Sequence, residues 1–352
     1  MADNKDKKVL NVPALRFPEF TEEWREYAIG NVLSIGNGRD YKHLHNGDIP
    51  VFGTGGYMTS VDDFLYDGES VFIGRKGTIN KPLYYNGKFW TVDTLFYTHS
   101  FVNVLPKFAY CLFQTINWLK YNEASGVPSL SKATIEKIKV RVPSMDEQGK
   151  LSNQLFLLDK RIEVQNKIIE KLETLIKGII ETVISSQKPN TFIKNCLECD
   201  SSTLQESQVA ENGAYPVYGA TGISGYTETA DVNGEAILIT KDGSGVGTVK
   251  FADGEYSYIG TLNRLIAREG YCLKYLYFAL QGFCFEPYKT GMAIPHIYFK
   301  DYGKAKIFCP TIEEQSIIAK SLSVIGNKIS VEKQILFCNQ LQKSYLLSQM
   351  LI

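Results

Sequence analysis

No run of about 18 apolar residues, the length a membrane-spanning helix needs, occurs anywhere in the 352-residue chain. The most apolar stretch, Tyr271 to Phe285, is broken by Lys274 and Gln281, so no membrane partner is expected. An excess of one charge is missing too. The 38 Lys and Arg are matched by 38 Asp and Glu, which removes the basic surplus of a nucleic-acid domain working alone and makes any basic patch local. Histidine is scarce, at positions 43, 45, 99 and 296 only. The seven cysteines contain one C-x-x-C pair, Cys196 and Cys199, with no second pair to complete a tetrahedral zinc site. We therefore expect reduced cysteines and no metal. The polar, mixed-charge start, Met1 to Lys8, lacks the apolar core of a signal peptide, so residues 1–11 read as a flexible tail on a cytoplasmic protein.

Reaction motifs are also lacking. None of Gly87-Lys88, Gly149-Lys150 or Gly303-Lys304 has the neighbours of a phosphate-binding G-x-x-x-x-G-K-[ST] loop. There is no Pro-Pro pair for an amino-methyltransferase motif of the Asn-Pro-Pro-Tyr type, and no Pro-Asp pair to open a nuclease carboxylate cluster. Gly53 to Gly56 and Gly243 to Gly247 miss the G-x-G-x-x-G spacing and read as turns. The chain is expected to catalyse nothing and to bind no cofactor itself.

What is present is a hydrophobic content of 44%, enough for more than one core, and a sequence that repeats itself. Asn46 to Gly53 (NGDIPVFG) returns as Asn212 to Gly219 (NGAYPVYG), and Asp67-Gly68-Glu69 returns as Asn233-Gly234-Glu235, both 166 residues later. After one inserted residue, Thr94-Leu95, Pro128, Pro143 and Glu147-Gln148 return 167 later as Thr261-Leu262, Pro295, Pro310 and Glu314-Gln315. Two copies of one folding unit follow, rather than a short-period solenoid.

Each copy begins with strands and turns. Asn86-Gly87 and Asp253-Gly254, between apolar runs, predict two tight hairpins, because Asn, Asp and Gly tolerate the positive φ of a type I′ turn. Short helices are expected over 108–119 and 273–281. Each copy then closes on a long helix, announced by Ser144 before Glu147 and Thr311 before Glu314, the spacing of a capping box. In the first, Leu151, Leu155, Leu158, Ile162, Gln165, Ile169, Leu172, Ile176, Ile179 and Val183 alternate spacings of four and three, the seam of a coiled coil. Up to Lys188-Pro189 it would span about 64 Å. The second keeps the stripe at Ile318, Leu322, Ile325 and Ile329, then turns polar at Glu332, Asn339 and Lys343, which predicts fraying, a shift of face, or burial against another protein. A bundle helix of this length is the plainer alternative for the first.

The expected fold is thus α+β, pseudo-twofold. Two β-rich domains, 12–143 and 189–310, are separated by two long antiparallel helices, 144–188 and 311–352, forming an intramolecular coiled coil. Basic, hydroxyl and aromatic residues gather in the turns: Arg39, Lys42 and His43; Arg75, Lys76 and Thr78; Ser129, Ser131 and Lys132; Lys241 and Ser244; Lys289, His296, Tyr298 and Lys300. Lys and Arg position phosphates, and polar side chains read base edges. Taken singly, each reads equally well as solvated loop surface.

This order of parts resembles the DNA specificity subunits of type I restriction-modification systems. The likeness lies in the opening Pro13 to Phe20 (PALRFPEF) with Trp24 and in the Pro-x-x-x-Glu-Gln helix starts at Pro143 and Pro310, and it covers nearly the whole chain. The resemblance implies two target recognition domains that each read half of a bipartite double-stranded DNA sequence, with helices setting the unread gap. It implies partners as well: two methyltransferase subunits using S-adenosylmethionine, and restriction subunits using ATP and Mg. Because Arg75 to Thr78 faces Lys241 to Ser244, and Ser129 faces His296, the two half-sites are expected to differ. A coiled-coil scaffold with twin protein- or glycan-binding domains is the alternative.

Overall fold

The computed structural model describes residues 11–243 and 245–351. They form two compact units, one from the residues up to Gln165 together with those from Ile335 onward, the other from Asn166 to Gln334.

In the first unit the chain runs through β1 (Arg25–Ala28), α1 (Ile29–Val32), β2 (Ser34–Asn37), β3 (Asn46–Gly53), β4 (Gly56–Val61), β5 (Tyr66–Gly74), β6 (Leu83–Thr91), β7 (Leu95–His99), α2 (Pro106–Phe113), α3 (Lys132–Lys137) and β8 (Lys139–Val142). Six strands make one sheet in the order β2-β7-β5-β6-β3-β4, while β1 pairs with β8. The core of β5 shows why: alternate side chains of a strand face opposite ways, so Val71 and Ile73 meet Phe108 and Leu112 of α2 on one face, and Phe72 meets Phe52 and Phe89 on the other.

The second unit repeats this plan with β9 (Thr191–Phe192), α5 (Ile193–Cys196), β10 (Leu197–Ser201), β11 (Tyr215–Tyr218), β12 (Ile223–Thr227), β13 (Val232–Asn233), β14 (Ala236–Thr240), β15 (Val249–Ala252), β16 (Glu255–Tyr258), β17 (Leu262–Ala267), α6 (Leu273–Gln281), α7 (Phe299–Tyr302) and β18 (Lys306–Ile307). Here the sheet is cut in two, β10-β17-β14-β15 and β12-β11-β16-β13. The alternation survives: Ile237 and Ile239 join the helix-side core, and Leu238 joins the other. A parallel pairing, unusual between neighbours in such a sheet, also occurs in both copies, β3 with β6 and β11 with β16.

Neither predicted hairpin forms. Asn86-Gly87 lies inside the unbroken strand β6, which pairs with β5 along its length and sets Gly87 opposite Gly68. Asp253-Gly254 joins β15 to β16, and these strands pair with β14 and β11 rather than with each other. A type I′ turn needs positive φ at both central residues, but only the glycines adopt it, Gly87 at 126° and Gly254 at 85°. With Gly68 at 137° and Gly234 at 120°, they mark the bend where the long strand pair of the first copy passes over into two sheets in the second. The helix expected over 273–281 is α6, whereas the one expected over 108–119 stops at Phe113, with a separate short turn at Trp118–Tyr121.

The long helices are α4 (Met145–Ile179), continued by a wider π turn over Ile180–Ser185, and α8 (Ile312–Met350). They run antiparallel. In the first unit Leu151, Leu155 and Leu158 share a core with Leu346 and Met350, and Asp159 pairs with Lys343 at 2.5 Å. In the second, Ile180 and Ile184 share a core with Ala319 and Leu322, and Glu173 pairs with Lys333 at 2.7 Å. The predicted seam holds for both helices up to the π turn, where the extra residue per turn shifts the phase: Ile184 is buried and Val183 is exposed. The polar stretch of α8 does not fray. Glu332 is buried and ion-paired to Lys328, and the Lys343 ammonium also donates to Gln114 at 2.6 Å.

The two helix starts are alike in one residue and unlike in the other. Gln148 accepts from the Leu105 N–H at 2.8 Å and donates to the Pro143 carbonyl at 3.0 Å. Gln315 accepts from the Cys272 N–H at 3.0 Å and donates to the Pro310 carbonyl at 2.9 Å. Each Gln thus ties a long helix to the loop before the short helix of its domain. Glu314 completes the predicted capping box with Thr311. Glu147 does not, because Arg16 grips its carboxylate with two bonds of 2.7 Å and the Trp24 ring N–H adds a third at 3.3 Å. That pairing raises the Arg16 pKa above its ordinary value, through the Glu147 hydrogen bond first. The opening motif docks on the far helix as well, with the Leu15 N–H donating to the Gln349 carbonyl at 2.9 Å.

Candidate nucleic-acid interface

Both copies build the same loop frame from main-chain hydrogen bonds. After β5, the Arg75 N–H donates to the Thr94 carbonyl at 2.8 Å, the Arg75 carbonyl accepts from Leu130, and the Gly77 N–H donates to the Pro128 carbonyl, both at 2.9 Å. After β14, the Lys241 N–H donates to Thr261, the Lys241 carbonyl accepts from Ile297, and the Gly243 N–H donates to Pro295, all at 2.9 Å. The frame positions one turn against the loop that leads into α3 or α7. A glycine is required at its corner, since Gly77 and Gly243 hold φ at 88° and 94°. Lys76 then bridges to Ser129, and Asp242 bridges to His296.

On this shared frame the side chains differ. In the first copy Arg75 and Lys76 are exposed, and with Asn37, Glu123, Ser129 and Lys132 they line a cleft of about 310 Å³. Arg75 rests over the Phe96 ring at 5.8 Å, and Thr78 follows, half-buried. Two expected contact residues are engaged internally: Ser131 caps α3, accepting from Thr134 N–H and donating to Glu123 at 2.8 Å, and the Lys132 ammonium donates to the Ile35 carbonyl at 2.8 Å. Glu123, which sequence reasoning passed over, is held below its ordinary pKa by Thr134 and then Ser131.

Arg39, Lys42 and His43 stand apart from that cleft on the exposed loop between β2 and β3. The loop is anchored beneath by Trp90, whose ring N–H donates to the Arg39 carbonyl at 2.9 Å and whose ring meets His43 at 5.8 Å.

In the second copy His296 packs against Tyr298 at 5.1 Å, and the Lys300 ammonium lies 5.0 Å from the Tyr298 ring. Lys241 reaches the Ser201 hydroxyl at 3.4 Å. Lys289 is paired with Glu286 on its own turn. Ser244 lies outside the described residues. Asp242 was not among the expected contact residues, although its place opposite Lys76 in the repeat was visible in the sequence.

The arrangement offers polar side chains on turns fixed by main-chain hydrogen bonds. Among the described residues no group of three or more His, Cys, Asp or Glu is placed to hold a metal ion.

The family model for the type I restriction modification DNA specificity domain matches residues 21–174 and again 197–337. A Haemophilus influenzae protein named as a candidate type I restriction enzyme specificity subunit is 23% identical, over 85% of this chain and 86% of its own length. The EcoprrI specificity subunit of Escherichia coli is 27% identical, over 44% of this chain and 40% of its own. The fold is similar to the crystal structure of a type I restriction-modification S subunit from M. genitalium, with a TM-score of 0.78, 16% identity, and coverage of 97% of this chain and 99% of that one.

Proposed function

From the membership of this chain in the type I restriction-modification DNA specificity family, whose domain it carries twice, we propose that each copy reads one half of an asymmetric bipartite DNA target, without catalysing a reaction itself. The single observation that carries this reading is the repeated loop frame: identical main-chain bonding in both copies, with different side chains on it at Lys76 and Asp242 and at Ser129 and His296. A scaffold kept constant under varied polar side chains is what a recognition module needs. Phosphate contacts fix position, whereas base contacts must change with the sequence read.

Two methyltransferase subunits dock on the helices in this reading. The support is a second apolar stripe, on the outside of each helix and repeated 167 residues apart: Leu157, Val164 and Ile168 on α4, and Val324, Val331 and Ile335 on α8, all exposed. Contiguous exposed apolar surface marks a protein contact, and its duplication calls for two copies of one partner. Those subunits supply S-adenosylmethionine chemistry, and ATP- and Mg-dependent cleavage belongs to restriction subunits, all in the cytoplasm. Partner surfaces also account for DNA binding by a chain with no net charge.

The test is the genome-wide adenine methylation pattern of a host carrying this protein and its methyltransferase, with residues 12–143 exchanged for another such domain. One half of a methylated bipartite sequence should change while the other stays. Absence of any bipartite methylation from a soluble, active complex would refute the reading.

A further inference from the structure

The two copies agree at one position of the loop frame and oppose each other at the next. Arg75 and its repeat equivalent Lys241 are both cationic. Lys76 and its equivalent Asp242 carry opposite charges. A side chain kept cationic in both copies suits what every DNA sequence shares, the phosphate, whereas a side chain whose charge inverts suits what differs, the base edge.

The bridge partners follow the same inversion. Across an antiparallel bridge, facing residues place their side chains together on one side, so Lys76 stands beside Ser129 and Asp242 beside His296. The His296 Nδ1 lies 3.2 Å from the Ile294 carbonyl. A carbonyl only accepts, so in this hydrogen bond Nδ1 carries the proton, and a neutral ring then presents Nε2 as an acceptor. The second copy offers on its frame the Asp242 carboxylate, which only accepts, with the His296 ring beside it. The first offers an ammonium and a hydroxyl, with the Arg75 guanidinium alongside.

We propose, resting on the reading of the copies as half-site readers, that position 76/242 determines specificity: Asp242 with His296 selects an exocyclic amino group, cytosine N4 or adenine N6, in the second half-site, and Lys76 selects guanine O6 or N7 in the first. The base edges fit this assignment, with guanine favoured for Lys76 because it sets two acceptors, O6 and N7, side by side. In the major groove, guanine and thymine present acceptors at O6 and O4, and cytosine and adenine present amino donors. A carboxylate surrounded by phosphates is tolerable only when a donor faces it, so Asp242 both attracts the amino base and rejects the base bearing a carbonyl there. An ammonium has the reverse preference.

The test uses the assembled complex with its methyltransferase and reads the methylated sequence genome-wide for the wild type, Asp242→Asn and Asp242→Lys. The wild-type second half-site should contain a position at which one base pair, in one orientation, is required. Asn donates as well as accepts, so Asp242→Asn should relax that position, with selectivity falling about ten-fold. Asp242→Lys should abolish methylation at the old sequence or move the position to guanine. The first half-site and the gap should stay unchanged in both variants, which also reports that the chain has folded. In the mirror test, Lys76→Asp should alter only the first half-site. A bipartite wild-type motif left unaltered by all three substitutions would overturn the inference while leaving the half-site reading intact. A wild type with no bipartite motif would overturn both.

Discussion

In the first copy the flank of α4 is filled, and in the second the equivalent flank is open. Phe156 of α4 inserts between Tyr84 and Tyr110, with ring centroids 5.0 and 5.5 Å away, and one turn on Asp159 holds Lys343. The two receiving rings recur as Phe251 and Tyr277, 5.4 Å apart. The inserted groups do not: the residues 167 later are Ser323 and Gly326, and Lys343 corresponds to Ile176. A cleft of about 1090 Å³ stands where the ring and the ion pair would be, lined by Ser323, Gly326, Ile176, Phe251 and Tyr277. Duplication preserved the strand order and the helix starts while this packing diverged. Backbone pairing and the Gln148 and Gln315 tethers define the fold, and a side chain at its edge can be lost without losing the topology.

That comparison is broken most sharply by Phe156→Ser, which copies the second unit into the first. It should cost about 2 kcal/mol, below the loss for a fully enclosed ring because Phe156 is only partly buried, and hydrogen exchange over residues 145–165 should quicken accordingly. Unchanged exchange there would show that the ring adds nothing to the first unit. The reverse change, Ser323→Phe, should fill part of the cleft and stabilise the second unit by about 1 kcal/mol, read as a higher denaturant midpoint with slower exchange over 312–334. A lower midpoint would mean that the cleft cannot seat a ring between Phe251 and Tyr277.

The smallest expected effect concerns pH. Burial first, and the nearby Lys132 charge second, lower the pKa of His99, and the equivalent residue in the second copy is Ile266. A lowered folded-state pKa means the unfolded chain takes up the proton first, so this contribution is complete above the unfolded pKa, about 6.5, and is lost as pH falls through that value and then the lower folded one. The first unit should therefore loosen slightly between pH 7 and pH 5 by hydrogen exchange, and His99→Gln should flatten that dependence. An equal response in the variant would remove His99 as its source.

Much of this was legible in the chain. The duplication, the positions of both long helices and their seam follow from spacing alone, because a residue recurring 166 or 167 places later, or at heptad intervals, reports a repeated environment whatever its neighbours. The loops that carry the frame were legible as polar turns with a glycine at the corner. The misreadings have different causes. Asn86-Gly87 and Asp253-Gly254 have hairpin composition, but β6 runs unbroken through its dipeptide to pair with β5, the strand before it, and beyond Gly254 the strand β16 pairs with the more distant β11. Glu147 has the spacing of a capping residue, but Arg16, 131 residues away, binds it more strongly as a charge-assisted, two-bond pair. Val183 keeps the heptad, yet the π turn hands its place to Ile184.

The sequence by itself determined that this chain has two copies of one domain and two long helices, since periodicity is a property of the string. Only the tertiary structure decided which polar residues are free to meet another molecule. Ser131 and Lys132 are drawn into a helix cap and a carbonyl contact, while Asp242 is placed beside His296 at the second tip. The physical reason is that a hydrogen-bonding group takes whichever partner folding brings within reach, and for Lys132 and Asp242 those partners come from segments that the linear order keeps apart.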